Sequence, residues 1–324
     1  MQSADSDESA RLKALDEIAH DWHVRAPTTD AHMKIAIHLW AQIKSLGYTS
    51  GRLLAVGQDA DLLAGHPPGT PRTAQAVGPG EAGLVLSAGL PQADQWPHPD
   101  LRLEPAATNA PVGSDVMIAN LPYADTRFLD RSNQIDIALE HHRMIRIALS
   151  WLRPGGLLVA LAHRQLLDGT DAEPRRSIAQ HADLLGAVRL PASALRAGPF
   201  QDSPADLLLL RRREPSHPAS GLPFIDRSPV HVHGRPDMLI NACYANEPWF
   251  ALGTIVPDPI DPDLTTVAPA NGNFEPHLSD VLDVITDAAI HHETTAHVRP
   301  TRGRPSTPPP PGRPAAPGPD PLGI

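Results

Sequence analysis

Residues 115–123 read Asp-Val-Met-Ile-Ala-Asn-Leu-Pro-Tyr, and this stretch decides the fold. The apolar, β-prone run Val116, Met117, Ile118 and Ala119 stops abruptly at Asn120, Leu121, Pro122 and Tyr123, a polar amide and an aromatic ring bracketing a proline. A buried strand running straight into a stiff, polar-tipped loop is what open α/β sheets place at the carboxyl ends of their strands, where functional residues sit. A strand halted by proline in a tight turn is the plain structural alternative.

Upstream, Thr28-Thr29-Asp30 caps a helix over 31–46, with Met33, Ile37, Trp40, Ala41 and Ile43 suited to one buried face and Gly47 closing it. Residues 51–57 form a short apolar strand ending in Gly57, and 58–65 a strand-to-helix turn. Weak strands are expected near 73–77 and 101–103, with a helix over about 81–90 between them. Downstream, Ile135, Leu139, Met144, Ile147, Ala148 and Trp151 mark a long helix over about 133–152, stopped by Arg153-Pro154-Gly155-Gly156. A continuous apolar strand follows at 157–162. A loop with His163, Arg164 and Asp168 leads to a helix over 174–182, and strands follow at 185–190 and 205–210. Strands alternating with helices imply an α/β domain over 30–213, a doubly wound, mostly parallel sheet.

The remaining chain divides by composition. Residues 1–29 are a flexible or helical lead-in with Leu12, Leu15, Ile18 and Trp22 at helical spacing. Residues 214–297 form a small C-terminal extension ending in a short helix over 278–289. Residues 298–324 are a disordered, proline-rich tail, suited at most to an aromatic groove on a protein partner.

Composition excludes several function classes. The single cysteine, Cys243, rules out a disulfide framework and a cysteine-based zinc site and fits a reducing, cytoplasmic compartment. No apolar run is long enough to span a membrane, and the acidic N-terminus does not resemble an export signal. A net charge of −10 argues against a free-standing nucleic-acid binder, although a local basic face is compatible with it. The 17 histidines include His141-His142, His291-His292 and His231-Val232-His233, but none has chelating spacing, so no metal is expected. Phosphate-loop and serine-elbow motifs are missing. Arg175-Arg176 and Arg211-Arg212-Arg213 read by default as a helix face and a solvated strand end.

The succession of strand, Asn-Leu-Pro-Tyr, long helix, Arg-Pro-Gly-Gly and apolar strand resembles the S-adenosylmethionine-dependent methyltransferases that act on the adenine amino group in DNA. It is most similar to the methylase-like proteins of plasmids, phages and actinobacteria that often carry helicase regions. The resemblance spans about 30–255 and includes 182–191 (ADLLGAVRLP), 206–215 (DLLLLRRREP) and 239–255 (LINACYANEPWFALGTI). It implies a Rossmann-like methyltransferase fold with the target-base signature after the fourth strand. The chemistry explains the residue types: the lone pair of an aromatic amine is delocalised, and two acceptors on its N–H groups localise it as the methyl group arrives. By this resemblance the Asn120 side-chain oxygen and the Leu121 carbonyl are those acceptors, and Tyr123, after Pro122, stacks on the extruded base. Leu121 stands where the family has its first proline.

The cofactor end departs from the family. The resemblance implies S-adenosylmethionine at a glycine-rich turn after the first strand, here Gly57, Gln58 and Asp59, with Glu104 facing the adenine ring. Of the expected glycines only Gly57 remains, the acidic residue before the turn is absent, and Val77-Gly78-Pro79-Gly80 replaces the acidic end of the second strand. The expectation is an adenine-specific DNA methyltransferase-like protein with impaired or lost cofactor binding. The alternative is an inactive binding or scaffold module for nucleic acid or a protein. RNA or a glutamine side chain presents the same planar conjugated nitrogen.

Overall fold

In the computed structural model the described residues are 30–57, 60–65, 85–89, 104–105, 113–121, 131–192, 194–195, 204–232, 235–259, 261–270 and 273–292. The expectations for the N-terminal lead-in, the strands at 73–77 and 101–103 and the proline-rich tail fall outside them.

Seven strands form the main sheet: β1 (Arg52–Gly57), β2 (Val85–Gly89), β3 (Glu104–Pro105), β4 (Ser114–Asn120), β5 (Leu152–His163), β6 (Ala182–Arg189) and β7 (Ala205–Arg212). Their order is β3-β2-β1-β4-β5-β7-β6. β1, β4 and β5 are parallel neighbours, while the pairings that involve β2 or β7 are antiparallel. Five strands therefore share one direction, the mostly parallel sense expected, and two reversed strands make the sheet mixed.

The strand β4 is the apolar run of 116–119 with Asn120 as its last residue, and its Val116, Met117 and Ile118 are fully buried. β5 is apolar and buried from Gly156 through His163. Strands without an alternating polar face need cover on both sides. That cover comes from two helix groups. On one side α1 (Ala31–Ser45) packs against α2 (Ala60–Leu63) and the late helix α7 (Glu275–His291); on the other, α3 (Arg131–Trp151) packs against α4 (Gln165–Asp168) and α5 (Glu173–Ala179).

Three local expectations are corrected. Residues 85–89 form strand β2, where the pattern predicts a helix over 81–90; five residues are too few for periodicity to separate helix from strand. The buried face of α1 is Ile35, Ala36, Leu39, Trp40 and Ile43, with His32, and Ile37 is 38% exposed. Met33 and Ile37 widen the apolar stripe of α1 beyond its buried face, so the sequence alone places that face only roughly. In α3 the core side is Ala138, His141, Ile145, Ala148 and Leu149, and Leu139 and Ile147 face outward.

Beyond β7 come the hairpin β8 (Arg227–Val232) with β9 (Arg235–Asn241), the short helix α6 (Ala242–Asn246), the hairpin β10 (Gly253–Pro257) with β11 (Thr265–Pro269), and α7. Tyr244, Phe250, Leu278, Val281, Leu282 and Ile285 belong to the same apolar cluster as the sheet. At Gly186 of β6 a β-carbon would meet three Ile285 side-chain atoms at 2.5 Å. Glycine there lets α7 lie directly on the strand.

Candidate functional site

Chain order reverses between β1 and β4. The connection leaving β1 leads to β2 on one side of the pair, and that leaving β4 leads to β5 on the other. The carboxyl ends of two such parallel strands bracket the place where open α/β sheets bind ligands. The last residues of both strands, Gly57 and Asn120, are register partners there. Gly57 has φ +100°, and a β-carbon on it would fall onto the Asn120 carbonyl oxygen. The backbone of β4 thus requires glycine at 57, independently of any ligand.

Asn120 is 4% exposed and its side chain faces α1, where Nδ2 lies 3.3 Å from Nε2 of the fully buried His32. The Leu121 N–H donates to the Leu161 carbonyl at 3.0 Å, which carries the β4–β5 ladder one residue past the strand end, and Leu121 is buried. Pro122 and Tyr123 lie outside the described residues. The structure thus brings Gly57, Asn120 and Leu121 together and adds His32. A lone histidine on an apolar helix reads as core, and its contact with Asn120 distinguishes it.

Of the expected cofactor end, only Gly57 and the backbone of Glu104 are among the described residues. Gln58 and Asp59 lie outside the described residues, as does the side chain of Glu104. The backbone of Glu104 pairs with Ser87, which pairs with Leu54. That places it two strands across and three residues back from Gly57, roughly 10 Å in each direction. Because β2 is reversed, Val85 at its amino end stands beside Val56, and Gly89 at its carboxyl end stands beside Arg52. Gly89, the last residue of β2, therefore lies at the opposite end of the strands from Gly57. Among the described residues, Gly57 is accounted for by its approach to β4, and β2 runs opposite to β1, while the expected second-strand end at 77–80 lies outside them.

The carboxyl ends of β5 and β6 carry a buried charge network. Arg189, the last residue of β6, donates to both Asp206 oxygens at 2.7 and 2.9 Å and to Asp168 Oδ2 at 2.6 Å, and its guanidinium lies 4.2 Å from the centroid of the Tyr244 ring. Asp168 Oδ1 accepts the Asn241 N–H at 2.9 Å, and the Asn241 side chain caps α6. Arg164, after β5, pairs with Asp258 at 3.0 Å and donates to the Thr265 carbonyl. These pairs tie α4, α6 and the β10–β11 hairpin to the sheet.

The arginines read as solvated are partly structural. Arg175 is buried and donates to the Ile225 and Gly169 carbonyls, and Arg213 pairs with Asp183 at 2.6 Å. Burial raises the Cys243 thiol to about 12, so it is no nucleophile at neutral pH. No group of three His, Cys, Asp or Glu among the described residues is placed to hold a metal ion. No helix among them is long and apolar enough to cross a membrane.

No family model matches the chain, and no curated protein matches it. Solved structures do overlap it in part. A protein of Listeria monocytogenes assigned as a class I S-adenosylmethionine-dependent methyltransferase is 20% identical, with a TM-score of 0.26 over 35% of this chain and 36% of that one. A protein of Vibrio vulnificus assigned as the modification subunit of a type I restriction enzyme is 18% identical, with a TM-score of 0.24 over 39% and 27%. The M protein of the type I restriction enzyme EcoKI is 10% identical, with a TM-score of 0.27 over 57% and 51%. The matched region spans about a quarter to a half of these chains, and overlaps of this extent and score define no family.

Proposed function

We propose that this chain is a methyltransferase-like domain of the adenine amino-methyltransferase type that keeps the amine-facing end of its site and has lost, or strongly weakened, binding of S-adenosylmethionine. The observation that carries the reading is the junction of β1 and β4, where Asn120 sits at the switch point and Gly57 is committed to the Asn120 carbonyl. The Asn120 amide oxygen and the Leu121 carbonyl are acceptors for the two N–H groups of a conjugated amine, and Tyr123 supplies a stacking face. Without a methyl donor such an arrangement binds an exocyclic amine and does not alkylate it. S-Adenosylmethionine, where bound, would supply the electrophilic methyl group. The substrate class is adenine in DNA that has been unstacked from the helix.

Calorimetric titration with S-adenosylhomocysteine tests this, paired with transfer of labelled methyl groups to unmethylated DNA. The expected result is no saturable heat at millimolar ligand and no label in DNA. Micromolar binding together with label transfer that disappears in Asn120→Ala would establish the working adenine methyltransferase instead. That second reading draws on the intact Asn-Leu-Pro-Tyr sequence.

A further inference from the structure

We infer that His32 is a positioning residue that fixes the Asn120 amide as a hydrogen-bond acceptor, and so selects an amine over a carbonyl at the site. The inference rests on the proposed function for the identity of the ligand, but the orientation itself rests on the Asn120–His32 contact and on the tautomer that answers it. An asparagine amide has two faces of opposite character, an accepting oxygen and a donating NH2 group, and a half-turn about its last bond exchanges them. At a site that reads a base edge, this exchange decides between a 6-amino group, which donates, and a 6-oxo group, which accepts.

Here Nδ2 of Asn120 faces Nε2 of His32 at 3.3 Å, with His32 fully buried and Asn120 4% exposed. An amide nitrogen only donates, so Nε2 must accept, and a neutral imidazole then carries its proton on Nδ1. Against this tautomer the rotated amide would set its oxygen on the Nε2 lone pair in a buried site, which is unfavourable by the loss of a hydrogen bond and by lone-pair repulsion, whereas a ring protonated on Nε2 would hold the opposite orientation. His32 thus keeps the NH2 group toward α1 and turns Oδ1 away from it. The helix cap at Asp30 begins α1 two residues earlier, and the apolar face of Ile35, Leu39 and Ile43 fixes the rotation that delivers His32 to the end of β4.

Two readouts test this separately. Long-range nitrogen–proton NMR reports the tautomer: the expected pattern is a neutral His32 with the proton on Nδ1 and Nε2 accepting, and a neutral ring protonated on Nε2 would overturn the inference. Anisotropy then compares a single-stranded oligonucleotide carrying one adenine with the same strand carrying hypoxanthine, its 6-oxo counterpart. The wild-type protein is expected to favour adenine about tenfold, in line with the cost of an unmatched buried polar group. His32→Gln, which retains an acceptor, should hold that preference, and His32→Leu, which has none, should reduce it below about threefold. An unchanged preference in a folded His32→Leu protein would overturn the selection. Should the wild-type protein bind neither strand while His32 shows the Nδ1 proton, the proposed function fails and the orientation of Asn120 by His32 stands.

Discussion

Arg189 and Asp206 meet inside the protein through two parallel hydrogen bonds of 2.7 and 2.9 Å, with their side chains 1% and 0% exposed. A planar guanidinium engages a carboxylate best in this fork geometry, and Asp168 on a third guanidinium nitrogen completes the arrangement. One buried cation therefore answers two buried carboxylates. Such a network adds little stability over a well-packed apolar alternative, but breaking it from one side leaves charge unanswered in a low dielectric.

Arg189→Met is accordingly expected to destabilise the fold by about 3–5 kcal/mol, measured as a fall in the urea midpoint. Arg189→Lys keeps the charge and loses the fork, so it should fall between Met and wild type. A Met variant within 1 kcal/mol of wild type, on the scale of ordinary surface changes, would show that the network carries no stability.

Gly57 and Gly113 separate backbone strain from collision. Both have positive φ, +100° and +97°, but a β-carbon at 113 meets nothing within 4 Å among the described residues, whereas one at 57 falls on the Asn120 carbonyl. Gly113→Ala should cost about 1 kcal/mol, the strain of a left-handed alanine. Gly57→Ala should cost clearly more, because β4 must move as well. Thermal melts without any added ligand check this, and equal costs at the two positions would return Gly57 to the role of a ligand-cradling glycine.

The elements that could be read from the sequence are those whose pattern is self-sufficient. β4 and β5 are apolar runs too short for a helix pair and flanked by strong stops, and α7 begins and ends close to its expected bounds. Asn120 is legible as a strand end because Asn-Leu-Pro-Tyr interrupts the apolar run so sharply. The direction of β2 could not be read, since nothing in Val85-Leu86-Ser87-Ala88-Gly89 distinguishes a parallel from an antiparallel neighbour. That direction decides where a ribose-binding residue would emerge.

The buried charges were hidden for a different reason. Arg189 stands at the end of an apolar strand, and Asp168 and Asp206 are 21 and 17 residues away on other elements. Each reads alone as a surface residue, and only the strand order brings them together. His32 is hidden in the same way, because its partner Asn120 is 88 residues distant.

The contact of Gly186 with Ile285 predicts a non-additive pair. Gly186→Val should destabilise by about 1–3 kcal/mol through overpacking against α7, and Ile285→Ala should destabilise through the cavity it opens. In the double variant the added side chain occupies the vacated space, so its loss should be smaller than the sum by at least about 0.5 kcal/mol. Strict additivity in urea denaturation would mean that α7 does not lie on β6 at this point.

His163 links the fold to pH. It is buried at the end of β5, where its Nδ1 accepts the Gln165 N–H at 3.2 Å and its backbone N–H donates to Nδ1 of His141 at 3.1 Å. Burial above all, then the neighbouring charges of Arg164, His141 and Arg189, hold its pKa well below that of an ordinary imidazole. In the unfolded chain the ring takes a proton near pH 6.5, so below that pH the unfolded state binds more protons than the folded one. The stability is complete above about pH 6.5 and is lost as pH falls, by up to about 1.4 kcal/mol per pH unit for one such group. His142 and His181, also lowered first by burial and then by Arg146, act in the same direction. Stability measured by denaturant between pH 7 and pH 5 should therefore decline on acidification. His163→Gln should decline less steeply, by a slope of about one proton, and a variant with the wild-type slope would place the acid sensitivity elsewhere.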